Sequence, residues 1–389
     1  MTNSRYAIIY CIVCLLSTSL AFALTESDAK AGFQKLGDTH KAIAVSGSGA
    51  QAISSTVHSQ SSPAVASIKA LASCEAKRTA LKSDNFCEIR AVNGNKITSA
   101  QKIRAAVPDQ HPLFLWEIVS SQAKVYLAGS IHVLKQSLYP LPQQYQSAFD
   151  SSDNIVVEVE TASVAPGDMA DLVKMYFLFP ESQSIQHVLN ESETALLSEY
   201  LRYRNTSIEA VEQLKPSMLA IQLSLNQLVA MGYTHEYGVE SFFLSQTGSK
   251  NIFHLETLAQ QFQLLGSAPM DLQRELLRES IVGIDEVDAA MAELVTAWLS
   301  GDADSFEALT KSMSSESPEY LAFSKKLLEE RNIGMANKIE SYLNKKGTYF
   351  VMLGAAHLMG ERSVLSLLEQ QGRTVNQIHS GDQIQGLSH

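Results

Sequence analysis

A chain of 389 residues is long enough for two to three domains at about 150 residues each, or for one large domain with insertions. Hydrophobic residues at 45% and charged ones at 18% are globular proportions, which exclude disorder along most of the length. A formal net charge of −11, from 30 Lys plus Arg against 41 Asp plus Glu, excludes the basic footprint of a nucleic-acid or anionic-membrane binder.

Residues 1–23 read as a signal peptide. Arg5 supplies the positive charge, Tyr6 to Leu16 the apolar run, and Ala21-Phe22-Ala23 the small-x-small pattern, so cleavage is expected after Ala23. The apolar run is shorter than the roughly 20 residues a membrane span needs, and no later charge-free stretch reaches that length. The mature protein is expected without a transmembrane span, exported to the periplasm or secreted. Cys11 and Cys14 fall inside the removed segment, which leaves Cys74 and Cys87 as an even pair in an oxidising compartment. A disulfide between them would close a loop of roughly 15 residues, contributing about 3 kcal/mol.

The stretch 24–72 mixes Ala, Ser, Gln and Gly with little periodicity and reads as a flexible linker. Residues 73–110 read as a small disulfide-pinned appendage, with a hairpin signalled by Asn93-Gly94 between Cys87-Glu88-Ile89-Arg90-Ala91-Val92 and Asn95-Lys96-Ile97-Thr98. The main α/β domain is expected over 111–382. Its strand-like runs are 113–118, 124–129, 154–160, 251–256, 348–354 and 374–378, with helical spacing over 139–150, 192–232 and 361–371. Asn190 followed by Glu193 has the spacing of a helix cap. Between 257 and 345 the chain is helical and amphipathic, with Pro269 and Pro318 as boundaries and Leu272, Leu276, Leu277 and Ile281 as a core stripe. Strands alternating with helices predict a largely parallel or mixed central sheet flanked by helices, with a helical insertion.

Two segments, Gly129-Ser130-Ile131-His132 and Gly354-Ala355-Ala356-His357, directly follow strand-like runs. The text pattern itself is weak, since Gly37 to His40, Gly232 to His235 and Gly386 to His389 also match it. Position is what separates the two, because in open α/β sheets ligands bind beyond the carboxyl ends of the strands. The same rule selects Glu158 and Glu160, which share a face of one strand, and Glu256 at the end of another. Two imidazoles with one or two carboxylates suit the first shell of a divalent metal, with an open position for an activated water. Plainer readings stand beside this one. A lone His after a strand also serves as a cap, Glu160 can face solvent, and Glu256 can pair with a structural Arg. The Gly354 to Gly360 turn can also be read as a phosphate loop, against which the nearby carboxylates argue. No HExxH, GxSxG, Walker A or GxGxxG is present.

The series Leu115-Trp116-Glu117, Tyr126-Leu127-Ala128-Gly129-Ser130-Ile131-His132, Tyr139-Pro140-Leu141-Pro142 and Val156-Val157-Glu158-Val159-Glu160 resembles the TraB/GumN family. So do Gly238-Val239-Glu240, His254-Leu255-Glu256-Thr257, Glu330-Arg331-Asn332 and Gly354-Ala355-Ala356-His357-Leu358-Met359-Gly360, over about 112 to 380 in all. That family is grouped with the Tiki metalloproteases, erythromycin esterase-like enzymes and ChaN-like haem-binding proteins. The resemblance implies a metal-dependent hydrolase of peptide or small carbonyl-containing substrates, with the family's two Gly-x-x-His motifs and strand-end Glu mapping onto His132, His357 and Glu158. Strand spacing adds Glu160 as a candidate ligand, and such donors suit Mn, Co, Zn or Fe. In this reading metal-activated water attacks a carbonyl, Glu158 or Glu256 moves the proton, and Arg331 steadies negative charge or a substrate carboxylate. The family pattern carries Asp where this chain has Glu240, and no role is assigned to Glu240. The contrasting expectation is a binding module without turnover for haem, a signalling peptide or a surface ligand, with Met175, Tyr176 and Phe177 lining its pocket.

Overall fold

The computed structural model of the protein describes residues 40–46, 52–60, 63–83, 87–92, 95–159, 164–203, 206–282, 284–315 and 317–384. The signal segment, the Asn93-Gly94 turn and Glu160 lie outside the described residues.

An N-terminal antiparallel sheet holds β1 (His40–Ser46), β2 (Ile53–Gln60), β3 (Cys87–Val92) and β4 (Asn95–Lys96) in the order β2-β1-β3-β4, and the helix Pro63–Ala80 packs on it. The expectation of a flexible linker over 24–72 is thereby corrected for its described part, and the appendage begins at His40 rather than at 73. The physical reason lies in the small residues. Ala42 and Ala44 on the sheet and Ala66 and Ala70 on the helix form the shared core with Ile89 and Val92, so the two layers meet through little side-chain volume. A composition that resembles a spacer is here a close helix-on-sheet contact. The expected hairpin is present, with Ala91 opposite Lys96.

The disulfide pairs Cys74 on the helix with Cys87 at the start of β3, across a sequence separation of 13. Reduction, or a Cys74→Ser and Cys87→Ser double substitution, is expected to destabilise this unit by about 3 kcal/mol through restored freedom of the unfolded chain. Denaturant titrations with and without reductant would measure it. Coincident midpoints would show that the cross-link does not restrain the unfolded chain.

The N-terminal unit is tied to the rest of the molecule around Thr98. Its backbone N–H donates to Asp288 Oδ2 at 2.7 Å, and its carbonyl accepts from Lys135 Nζ at 2.9 Å.

The second sheet contains β5 (Pro112–Val119), β6 (Ala123–Ser130), β7 (Asn154–Val159), β8 (Asn251–Glu256), β9 (Gly347–Gly354) and β10 (Val375–His379), in the order β10-β5-β6-β9-β7-β8. Antiparallel pairing joins β10 to β5 and β5 to β6, while β6, β9, β7 and β8 run parallel. Every residue of β6 and β7 is buried, as their Val-, Ile- and Leu-rich runs require of strands covered on both faces. The sheet is mixed, with its four parallel strands adjacent as β6-β9-β7-β8.

Helices fill both connections that flank β8. Those from Pro166–Phe177 to Val239–Leu244 link β7 to β8, and those from Leu258–Gly266 to Arg331–Leu343 link β8 to β9. The expected cap forms reciprocally, since Asn190 N–H donates to Glu193 Oε2 and Glu193 N–H donates to Asn190 Oδ1, both at 2.9 Å. The helix expected from 361 starts later, at Val364, where the Ser363 hydroxyl accepts from Ser366 N–H. Met175, Tyr176 and Phe177 do not face one space: Met175 is 65% exposed, whereas Phe177 is buried edge-on against Phe262. Among the described residues no helix is long and apolar enough to cross a membrane.

Candidate functional site

The parallel register of β6 on β9 places Ser130 opposite Gly354, so the two Gly-x-x-His segments leave adjacent strands at the same level. His132 follows β6 directly, and His357 lies in the short 3-10 turn Ala355–Leu358. On the other side of β9, Val156 of β7 lies opposite Val351, which carries Glu158 up to the same rim. There Glu158 Oε2 accepts from Gly354 N–H at 3.0 Å, and Oε1 lies 3.8 Å from His357 Nε2. His132, Glu158 and His357 are all buried, none more than 1% exposed. Trp298 braces the rim by donating its indole N–H to the Gly129 carbonyl at 2.7 Å.

Burial alone would raise the Glu158 pKa. The Arg331 guanidinium foremost, with the neighbouring His357 and His132 rings and the Gly354 N–H, overcomes that and holds the carboxyl down at about 2. Gln261 Nε2 adds a hydrogen bond of 3.2 Å to Oε1. Glu158 is therefore a permanent anion at physiological pH.

His357 has the opposite character. Burial first, then the Arg331 cation, depress its pKa to about 3 against the pull of Glu158, so the ring is neutral. Its tautomer follows from Asn332. The Asn332 amide nitrogen donates to the Arg362 carbonyl at 2.8 Å, which turns Oδ1 toward His357 Nδ1 at 2.6 Å. An oxygen there requires the proton on Nδ1 and leaves the Nε2 lone pair open. That Nε2 is buried and has no hydrogen-bond partner among the described residues.

Arg331 links two carboxylates. Its Nη2 bonds Glu158 Oε1, while Nε and Nη2 reach Glu256 in a bidentate pair, with Nε to Oε1 at 3.1 Å and Nη2 to Oε2 at 2.6 Å. Nη1 donates to the Leu327 carbonyl at 3.0 Å, one turn back in a π-helical segment, Lys326–Glu330. The structure thus engages Arg331 in bridging Glu158 to Glu256. Glu256 takes the structural Arg pairing that stood as its plainer reading. Burial raises its pKa more than Arg331 lowers it, so of the two carboxylates it is the one that protonates more readily. Glu256 and Arg331 also line a cavity of about 520 Å³, together with Gln260, Gln263, Lys326 and Lys338.

A carboxylate without an assigned role completes the surroundings of His132. Glu240 Oε1 lies 2.9 Å from His132 Nδ1 and accepts from the Ser130 hydroxyl. It reaches this position because Gly238 packs on the His132 backbone, where an added Cβ would sit 2.2 Å from the His132 carbonyl oxygen. Burial would raise the Glu240 pKa, but His132 and Ser130 bring it below the ordinary value.

Two expectations can be placed against these contacts. The phosphate-loop reading of Gly354 to Gly360 loses two donors, since Gly354 N–H is taken by Glu158 and Ser366 N–H, in the first turn of the following helix, by the Ser363 hydroxyl. The metal reading finds suitable donor chemistry in two imidazoles and an anionic carboxylate. Among the described residues, however, no group of three or more His, Cys, Asp or Glu is drawn together as a ready metal cage.

The sequence alone assigns no role to Asn332, Gln261, Ser130 or Glu240. Signals existed for two of them: Ser130 lies within the first Gly-x-x-His segment, and Asn332 is next to Arg331. Gln261 and Glu240 sit on helices whose amphipathic pattern marks only that they face inward.

A family model described as the TraB/PrgY/gumN family matches residues 114–377. A curated protein of Treponema pallidum (strain Nichols), named only as an uncharacterized protein, is 18% identical over 265 residues, covering 66% of this chain and 80% of the relative. No solved structure matches the chain.

Proposed function

Because the chain belongs to the TraB/PrgY/gumN family, we propose that it is an exported metal-dependent hydrolase of peptide or other carbonyl-containing substrates, with His132, His357 and Glu158 holding one divalent ion. The observation that carries this reading is the His357 ring, with Nδ1 committed to Asn332 and an unpartnered, buried Nε2 lone pair beside an anionic carboxylate. A neutral imidazole with its second nitrogen pinned by an oxygen is the arrangement that metal-binding histidines use. Mn, Co, Zn and Fe all accept such donors. When bound, the ion would supply Lewis acidity and lower the pKa of a coordinated water toward about 7.

The protein's own groups divide the remaining work. Glu158 supplies fixed negative charge beside the His357 imidazole, and its low pKa keeps it from carrying protons near neutrality. Glu256, with its raised pKa and its place on the cavity wall, is the group suited to take up and return a proton, at Oε1, which accepts from Arg331 Nε at 3.1 Å. Arg331 holds both carboxylates in place. The cavity gives a substrate access to the Glu256 end of the site. Export is supported by the leader pattern of residues 1–23 and by the Cys74–Cys87 disulfide, which persists in oxidising compartments.

Metal analysis of the purified protein, combined with cleavage of a peptide library, tests this function. About one equivalent of metal is expected, with products that disappear under a chelator and return on adding Mn or Co. A stoichiometric bound ligand without products would replace the hydrolase by a binding protein, and absence of both metal and ligand would leave a scaffold.

A further inference from the structure

Glu240 is a buried acid, only 4% exposed, and among the described residues no Lys or Arg pairs with it. Glu158 and Glu256, by contrast, share the Arg331 cation. A buried carboxylate without a cation is costly unless strong donors face it. Two groups approach it, and both at the same oxygen: the Ser130 hydroxyl donates to Oε1, and the His132 ring places Nδ1 2.9 Å from Oε1. Oε2 is buried with no hydrogen-bond partner among the described residues, so the side-chain groups that orient the carboxylate act at Oε1.

The backbone is arranged to deliver it. Leu134 and Thr234 exchange hydrogen bonds of 3.2 and 2.9 Å, and Val239 N–H donates to the Ile131 carbonyl at 3.1 Å. The segment before Glu240 is thus zipped along the residues on either side of His132. Gly238 permits the closest approach, at the His132 carbonyl. Such a clamp sets the distance between one carboxylate and one imidazole.

We propose that Glu240 is the positioning residue of His132: its Oε1 holds the ring proton on Nδ1 and presents Nε2 to the strand-end site, the task that Asn332 performs for His357. The two rings are then oriented by unlike partners, an anion for His132 and a neutral amide for His357. An anionic acceptor makes its imidazole the stronger donor to a cation. This inference rests on the proposed metal site for its consequence, though not for its geometry.

The test uses the full chain, metal-free, with ¹⁵N-labelled histidine at pH 8.5, about two units above an ordinary imidazole pKa. The His132 signals are assigned by their loss in His132→Gln. The wild-type ring is expected to carry its proton on Nδ1. In Glu240→Gln the amide can rotate to donate to Nδ1, and in Glu240→Met no acceptor remains, so both variants are expected to shift the ring toward the Nε2–H form. Co²⁺ affinity should fall by about 10- to 100-fold in the same variants, as for other outer partners of metal-bound histidines. A proton on Nε2 in the wild type, or the same tautomer in wild type and variants, overturns the proposal. If neither variant folds, the wild-type tautomer alone decides. Should the wild type bind no metal while the tautomer shifts as described, the metal reading fails and the positioning role stands.

Discussion

A His357→Ala protein is expected to fold and to lose its metal together with any metal-dependent turnover. The ring is fully buried and supplies the unpartnered Nε2, so the variant removes a proposed ligand without touching the Arg331 bridge. Metal affinity should drop by more than about 100-fold, beyond the loss expected from an outer partner. The folding cost is smaller. Asn332 Oδ1 is left without its donor, and a buried acceptor stranded in this way costs about 1–3 kcal/mol. His132→Ala should behave alike in metal content. Circular dichroism, denaturant titration and metal analysis together separate the two effects, and retained metal and turnover in both variants would reject the two-histidine site.

Arg331→Leu should be the most destabilising single change in the site. Glu158 is wholly buried and Glu256 largely so, and this one side chain compensates both. Taking away the cation strands two carboxylates in a low dielectric, which for a broken buried pair costs about 3–5 kcal/mol. Urea midpoints measure it. Glu256→Gln added to Arg331→Leu should recover part of the loss, because the second anion is then neutral. Their non-additivity should lie in the range of about 0.5–3 kcal/mol typical of groups in direct contact. A loss below about 1 kcal/mol would place this bridge among ordinary solvent-exposed pairs.

The same residues show how differently the levels of structure could be read. Ile155 to Val159 announces a covered strand because its β-branched residues Ile155, Val156, Val157 and Val159 suit a sheet packed on both faces, and the six strands of the main sheet follow from such local patterns. The Ala-rich stretch before Cys74 misled for a local reason as well: small residues carry little hydrophobic periodicity, and their use in a close helix-sheet contact appears only once both layers exist.

The positions of His132, Glu158, His357 and Glu256 at strand ends were thus determined by sequence alone, since each stands at the end of an apolar run and strand ends in such sheets face a common crevice. Only the tertiary structure decided their partners. The order β6-β9-β7-β8 sets His357 beside Glu158, and a helix more than seventy residues after Glu256 brings Arg331 between Glu158 and Glu256. A loop zipped to the residues around His132 brings Glu240 to its ring. Strand order and long-range closure depend on how whole elements pack, and no spacing within a single segment encodes which acid will meet which imidazole.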